Sequence, residues 1–333
     1  MAYPSTASRP RYYLANRAHH SDIGGGHPPS MAPGSEEIFQ EGLILPPVRL
    51  VRGGRVEPEL LATILANVRT PREREADLRA QIAANLEGAR RLEAIERRVG
   101  KQRVAHWGAA QRAYGRRMVA SFLKEIPDGI YRAMEFLEEE CTGNGLVRLQ
   151  VTVRARRGRI QVDFAGTDPQ TRGNLNAVEA ITRSAVFFVF RCLVREEIPF
   201  SSGCFEMLDI AIPKGTVLSA RHPAAVAGGN VETSQRVVDL VLKALRPALP
   251  RRIPAQSCGT MTNLTLGAST TDRFAYYETI AGGMGGSPTA PGLMSAAPGA
   301  RPPTARSSAP ATPARSSSTA CPPAVSAAAR PMS

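Results

Sequence analysis

The chain has 333 residues, 43% of them apolar, enough for a real core and for about two domains, which excludes a wholly disordered chain. Its formal charge is +13, but only four of the 42 basic residues are lysines. GC-rich codons encode such an Arg, Ala, Pro and Gly excess, so the charge by itself does not mark a nucleic-acid binder.

Residues 1–10 carry turn formers. Arg11–Ala18 reads as a strand entering the polar cluster His19-His20-Ser21-Asp22, which ends in Gly24-Gly25-Gly26. Three glycines let backbone approach a ligand closely. His27–Pro47 is rich in Pro, Gly and Ser and reads as ordered loop. Thr70-Pro71-Arg72-Glu73 predicts a helix start, with Thr70 as N-cap, Pro71 at N1 and Glu73 closing a capping box. Leu78, Ile82, Leu86, Ala89, Leu92, Ile95 and Val99 follow as one apolar stripe, and Gly100 fits the end. A second helix is predicted over about 103–125, with Trp107, Tyr114, Met118 and Phe122 on one face.

The period then changes. Val147 to Val153 and Ile160 to Phe164 alternate around Arg157-Gly158, which predicts a β-hairpin. Ala177–Val194 reads as a buried helix with Asn176 as N-cap, and Phe205–Ile212 as a short strand. A further helix is expected after Gly228-Gly229-Asn230, capped near Thr233 or Ser234, and strands return at Gly259–Gly267 and Phe274–Ile280. This order, without a regular βαβ series, predicts a mixed α+β fold: a long antiparallel helix pair, a β-hairpin, then alternating strands and helices. The helical segment is expected at about 57–126 and the α/β segment at about 127–288. From residue 289 to 333, 34 of 45 residues are Ala, Pro, Ser or Thr and none is acidic, a composition expected to be disordered. Five cysteines, without a C-x-x-C pair, read as thiols of a reducing compartment. No apolar run reaches the roughly 18 residues of a membrane span and no secretory signal is visible, so a cytoplasmic protein is expected.

Two clusters carry the chemistry. In an extended segment His20 and Asp22 fall on one side and would ligate a divalent metal together, or Asp22 would fix the imidazole tautomer; a hydrogen-bonded loop is the alternative. Glycines Gly228 and Gly229 entering a helix expose N–H groups suited to an anion or oxyanion, with Asn230 or Glu232 orienting substrate; an ordinary helix start is the alternative. Cys258 lacks a local base and reads as structural.

Seven ordered strings, LANRAHHSDIGG, EIFQEGLILPPVRLV, NVRTPREREADLRAQIAAN, VDFAGTDPQTRGNLNA, AVAGGNVETSQRVVD, GTMTNLTLG and YYETIAGGMG, resemble the hydantoinase B / 5-oxoprolinase family, which also includes a large subunit of acetone carboxylase. The resemblance implies hydrolysis of a small cyclic amide, a hydantoin or 5-oxoproline. A hydantoinase A-type partner uses ATP to phosphorylate the carbonyl oxygen, and the B-type chain, in a hetero-oligomer, carries a divalent metal and completes the reaction. It implies His20 as metal ligand with Asp22 as helper; the composition and the lack of a long apolar run add the expectation of no nucleic-acid or membrane partner. Family members also carry an upstream N-D-P-x-x-G-G-x-H-x-x-D segment that supplies a further His and Asp, so a truncated member with an aberrant, possibly frameshifted, tail is expected. Two alternatives are a non-catalytic remnant that docks on the A-type partner and an acetone-carboxylase-type subunit. A basic RNA-associated protein would need an RNP-like motif, which is not found.

Overall fold

The computed structural model describes residues 12–139, 142–143, 145–268, 273–288 and 290–296, all within the unit spanning residues 1–303. The strand expected at Arg11–Ala18 is not formed over the described residues 12–18. Among the described residues no strand pairs with this segment; the Asn16 side-chain amide instead donates to the Gln81 carbonyl at 2.7 Å. The loop after it holds one short helix, α1 (Ile38–Glu41), then the two-residue strands β1 (Val51–Arg52) and β2 (Arg55–Val56) and helix α2 (Pro58–Ala66).

Helix α3 (Pro71–Val99) begins and ends where the sequence says, with Pro71 in its first turn and Gly100, at φ +88°, after its last. The capping box is not made. Thr70 makes no side-chain cap bond and its Oγ1 is buried without a partner, while the Glu73 carboxylate is drawn to Arg74 Nη2 at 3.3 Å. Arg74 takes up the acid that would have closed the box. Helix α4 (Lys101–Leu123) follows at once. Leu86, Ile95, Trp107 and Tyr114 of α3 and α4 are exposed, and burial in α4 begins only at Gly115, Val119, Phe122 and Leu123.

The central sheet runs in the order β3-β4-β5-β6, built from β3 (Gly129–Glu139), β4 (Gly145–Arg156), β5 (Arg159–Asp163) and β6 (Leu208–Ala211). The expected hairpin is β4–β5, paired Val153 to Val162, with Arg157 and Gly158 both at positive φ in the two-residue turn. β3 pairs antiparallel with β4 and escaped the sequence reading, because Ile130, Met134 and Phe136 on its outer face are apolar and exposed, which blurs the alternation. β5 and β6 are parallel, and the chain crosses between them through helix α5 (Glu179–Leu193) and a 3₁₀ turn at Ser202–Phe205. Asn176 is not the cap of α5, whose N-cap is Val178. Fully buried, Asn176 donates instead to the carbonyls of Thr171, Gly173 and Ala225 and accepts from the Thr171 N–H.

The core joins Leu149, Val151 and Val153 of β4 and Ile160 and Val162 of β5 to Val186, Val189 and Phe190 of α5 and Val237, Leu240 and Val241 of helix α6 (Ser234–Leu245). Each such side chain contributes about 1.5–3 kcal/mol by leaving water. Beyond α6, β7 (Asn263–Ala268) pairs with β8 (Phe274–Thr279), and β9 (Gly282–Met284) with β10 (Leu293–Ala296). Pairing therefore extends past residue 289, where the tail was expected to begin; the rest of that tail, from residue 297, lies outside the described residues. Cys192 and Cys204 are buried and Cys258 is exposed. No helix among the described residues is long and apolar enough to cross a membrane.

Candidate functional site

The helix expected after Gly228-Gly229-Asn230 starts earlier, and in a different form. Gly229–Thr233 is a turn of π-helix running straight into α6. Thr233 and Ser234 are helical and do not cap; Thr233 Oγ1 donates to the Leu175 carbonyl and Ser234 Oγ to the Asn230 carbonyl at 2.6 Å. A π turn inserts one residue into the helical ladder and commonly marks a functional site. Here it lies against the 174–177 segment, where a Cβ on Gly229 would overlap the Asn176 carbonyl oxygen and one on Gly228 would press on Asn174.

That packing revises the role of the two glycines. They admit neighbouring backbone rather than a ligand. The anion position at the head of this helix is filled by the chain itself: the Glu41 carboxylate accepts hydrogen bonds from the N–H groups of Val226, at 2.9 and 3.1 Å, and Ala227, at 2.8 Å. Glu41 is 8% exposed, and burial raises its carboxyl against the pull of those two N–H groups. The N–H groups at the head of this helix are thus held by Glu41, and the two glycines serve the packing against residues 174–177.

Glu232 sits on the π turn, half-buried. Burial pushes its carboxyl above the usual range, opposed by a hydrogen bond with the Thr260 side chain and the charge of Arg236. Asn230, also half-buried, has no hydrogen-bond partner for its side chain among the described residues. One and two turns on, Arg236 and Asp239 continue the same side of the helix. Asp239 is raised chiefly by burial and accepts from the Ser257 hydroxyl at 3.1 Å. The Arg236 guanidinium lies against Gly259, whose φ of +69° and bare Cα leave the room, and its Nε is buried without a partner. The segment Ser257–Thr260 is thus held along α6 by Glu232, Arg236 and Asp239. The spacing 232, 236, 239 was legible as one helical face; the loop opposite it was not.

The structure does not bring His20 and Asp22 together. Asp22 is 0% exposed and faces Arg69, whose Nη1 lies 2.6 Å from Oδ1 and whose backbone N–H donates to Oδ2 at 2.7 Å. His20 turns to α3, where Asp77 Oδ2 stands 3.4 Å from its Nδ1 and 3.2 Å from Nη1 of the buried Arg74. The His20 Nδ1 is buried and makes no hydrogen bond, which suits a ligand, but a carboxylate already neutralised by arginine does not. Among the described residues no group of three or more His, Cys, Asp or Glu is placed to hold a metal ion. His20 and Asp22 do not fit a divalent metal as a pair. The glycines beside them serve the chain as well, Gly25 packing on the Gln40 carbonyl.

A family model described as Hydantoinase B/oxoprolinase matches residues 1–301. A Methanocaldococcus jannaschii protein is 37% identical over 82% of this chain and 47% of its own length. The 5-oxoprolinase of Saccharomyces cerevisiae is 36% identical over 82% of this chain and 22% of its own. The crystal structure of the ATP-dependent caprolactamase from Pseudomonas jessenii superposes with a TM-score of 0.75 at 26% identity, covering 84% of this chain and 49% of that one. The chain thus spans less than half the length of these relatives.

Proposed function

Because the chain belongs to the hydantoinase B/oxoprolinase family, we propose that it serves as the B-type part of an ATP-dependent cyclic amidohydrolase, opening a hydantoin, 5-oxoproline or related lactam ring that an A-type partner has phosphorylated. The observation that carries this reading is the Glu232 carboxyl, raised by burial on a π turn and steadied by Thr260. A half-buried carboxyl at a helix turn, with a hydroxyl and a guanidinium beside it, is of the type used as general base and acid.

Phosphorylation of the carbonyl oxygen makes the amide carbon electrophilic. Glu232 takes a proton from water as the water oxygen bonds to that carbon and delivers it to the ring nitrogen. As the C–N bond breaks, the new hydroxyl gives its proton to solvent and the carbon is left as an acyl phosphate, from which a second water releases phosphate and the free carboxylate. Asn230, with its side chain uncommitted, hydrogen-bonds the ring, and Arg236 favours the negative charge beside it. The test is ring-opened product formed from 5-oxoproline, hydantoin and caprolactam with ATP and an A-type partner. Product from at least one supports the reading; ATP consumption with no product from any of them opposes it. The second reading is a chain that docks on the A-type partner without turnover, favoured by the commitment of Asp22 to Arg69.

A further inference from the structure

Helix α6 has a second polar stretch beyond Glu232. Asp239, Lys243 and Arg246 follow at three- and four-residue steps, so they share one side of the helix end. The chain returns opposite them at Ile253–Gln256 and leaves a cavity of about 270 Å³. That is just below the range of drug-sized ligands and suits one small metabolite. Leu242, Ile253 and Pro254 give it apolar walls.

Its charges are not equivalent. Asp239 is 7% exposed; burial raises its carboxyl against the hydrogen bonds of Ser257 and Gln256 and the charge of Arg236, and a cation in the cavity adds to that partial compensation. Lys243 is committed, with Nζ 2.5 Å from the Glu135 carboxylate and 3.1 Å from the Met134 carbonyl. Arg246 is exposed and has no ion-pair partner among the described residues. Asp239, which the Arg236 charge and the Ser257 hydroxyl offset only in part, and Arg246 stand seven positions apart, about 10 Å along the axis, with apolar surface between them.

We propose that this cavity binds a small amino acid whose ammonium and carboxylate are separated by several methylene groups. The ammonium meets Asp239, the methylenes run along Leu242, Ile253 and Pro254, and the carboxylate meets Arg246. A phosphate would face Asp239, an uncharged apolar molecule would strand that carboxylate away from water, and a simple amine would leave Arg246 unused. The ligand class follows from this arrangement alone. It rests on the proposed function only for the ligand's origin, since opening a lactam puts an amine and a carboxylate on one chain.

Calorimetric titration of the full chain with 6-aminohexanoate and 4-aminobutyrate tests the proposal, with hexanoate and hexylamine as single-charge controls. Saturable binding of at least one amino acid is expected, with both controls weaker by about tenfold, a difference of about 1.4 kcal/mol. Arg246→Gln, at an exposed position, weakens the amino acid by a similar factor and leaves hexylamine unchanged. No saturable binding of either amino acid, or an Arg246→Gln protein that binds like the parent, overturns the proposal. Asp239→Asn adds the complementary loss if it folds; if it does not, Arg246→Gln decides. Binding without ring opening overturns the proposed reaction and leaves this site standing, and ring opening without binding does the reverse.

Discussion

Arg69 closes on Asp22 from two directions, its guanidinium 2.6 Å from Oδ1 and its own backbone N–H 2.7 Å from Oδ2. The pair joins the histidine loop to a residue two positions ahead of α3, across 47 positions of sequence. Removing one partner of a buried pair leaves a charge without compensation, at about 3–5 kcal/mol. Asp22→Asn is therefore expected to lower stability by about 3 kcal/mol in urea unfolding. An unchanged midpoint would mean that the carboxylate is not tied to Arg69 in solution.

Thr70→Ala has a small expected effect, within about 0.5 kcal/mol, because the usual loss of about 1 kcal/mol on removing a cap requires a cap bond. Thr70 makes none, and its hydroxyl is buried without a partner. The same urea experiment measures it, and a loss of about 1 kcal/mol or more would show that the capping bond forms in solution.

These two residues show what the sequence could and could not yield. The start and end of α3 were legible because proline and glycine act locally, on their own φ. The β4–β5 hairpin was legible through period-2 alternation around Arg157-Gly158. Thr70's hydroxyl was not, because Glu73 had a competing neighbour in Arg74. In the candidate site, Glu232 was identified by its place after the glycines, but the π turn that carries it depends on packing against Asn174 and Asn176. The Glu41 clamp on Val226 spans 185 positions, and the Asp22 pair 47. No local pattern announces either. Each removed a ligand role that local spacing had suggested.

Gly229→Ala should be among the more damaging small substitutions, at about 1–3 kcal/mol, the scale of overpacking in a filled interior. Its new methyl would overlap the Asn176 carbonyl, and that residue's side chain already ties three carbonyls together. Thermal unfolding measures the loss; a variant as stable as the parent would mean that the π turn lies farther from Asn176.

Stability should fall as pH rises above the ordinary glutamate value of 4.5, in the part due to Glu41 and Glu232. Burial raises both carboxyls, so the folded chain keeps those protons where the unfolded chain has released them. The stabilisation is complete below the unfolded value and is lost as pH climbs through the raised one. Glu87 acts the other way at lower pH, its carboxyl held down to about 2 by Arg90 and then Arg91, so its stabilisation is lost only as pH falls below 4.5. Glu232→Gln should flatten the decline above pH 4.5, measured as urea midpoints across that range. A variant whose profile runs parallel to the parent would mean that Glu232 titrates as a solvated acid.

The central claim is that Glu232 moves the proton that opens the ring, and the most direct measurement follows two products in one reaction. Glu232→Gln, assayed with ATP, an A-type partner and the lactam that the parent chain turns over, should still release ADP while ring-opened product falls by 10²-fold or more, the scale of general acid–base catalysis. Ring opening at the parent rate in that variant, with the fold intact by circular dichroism, would contradict the account.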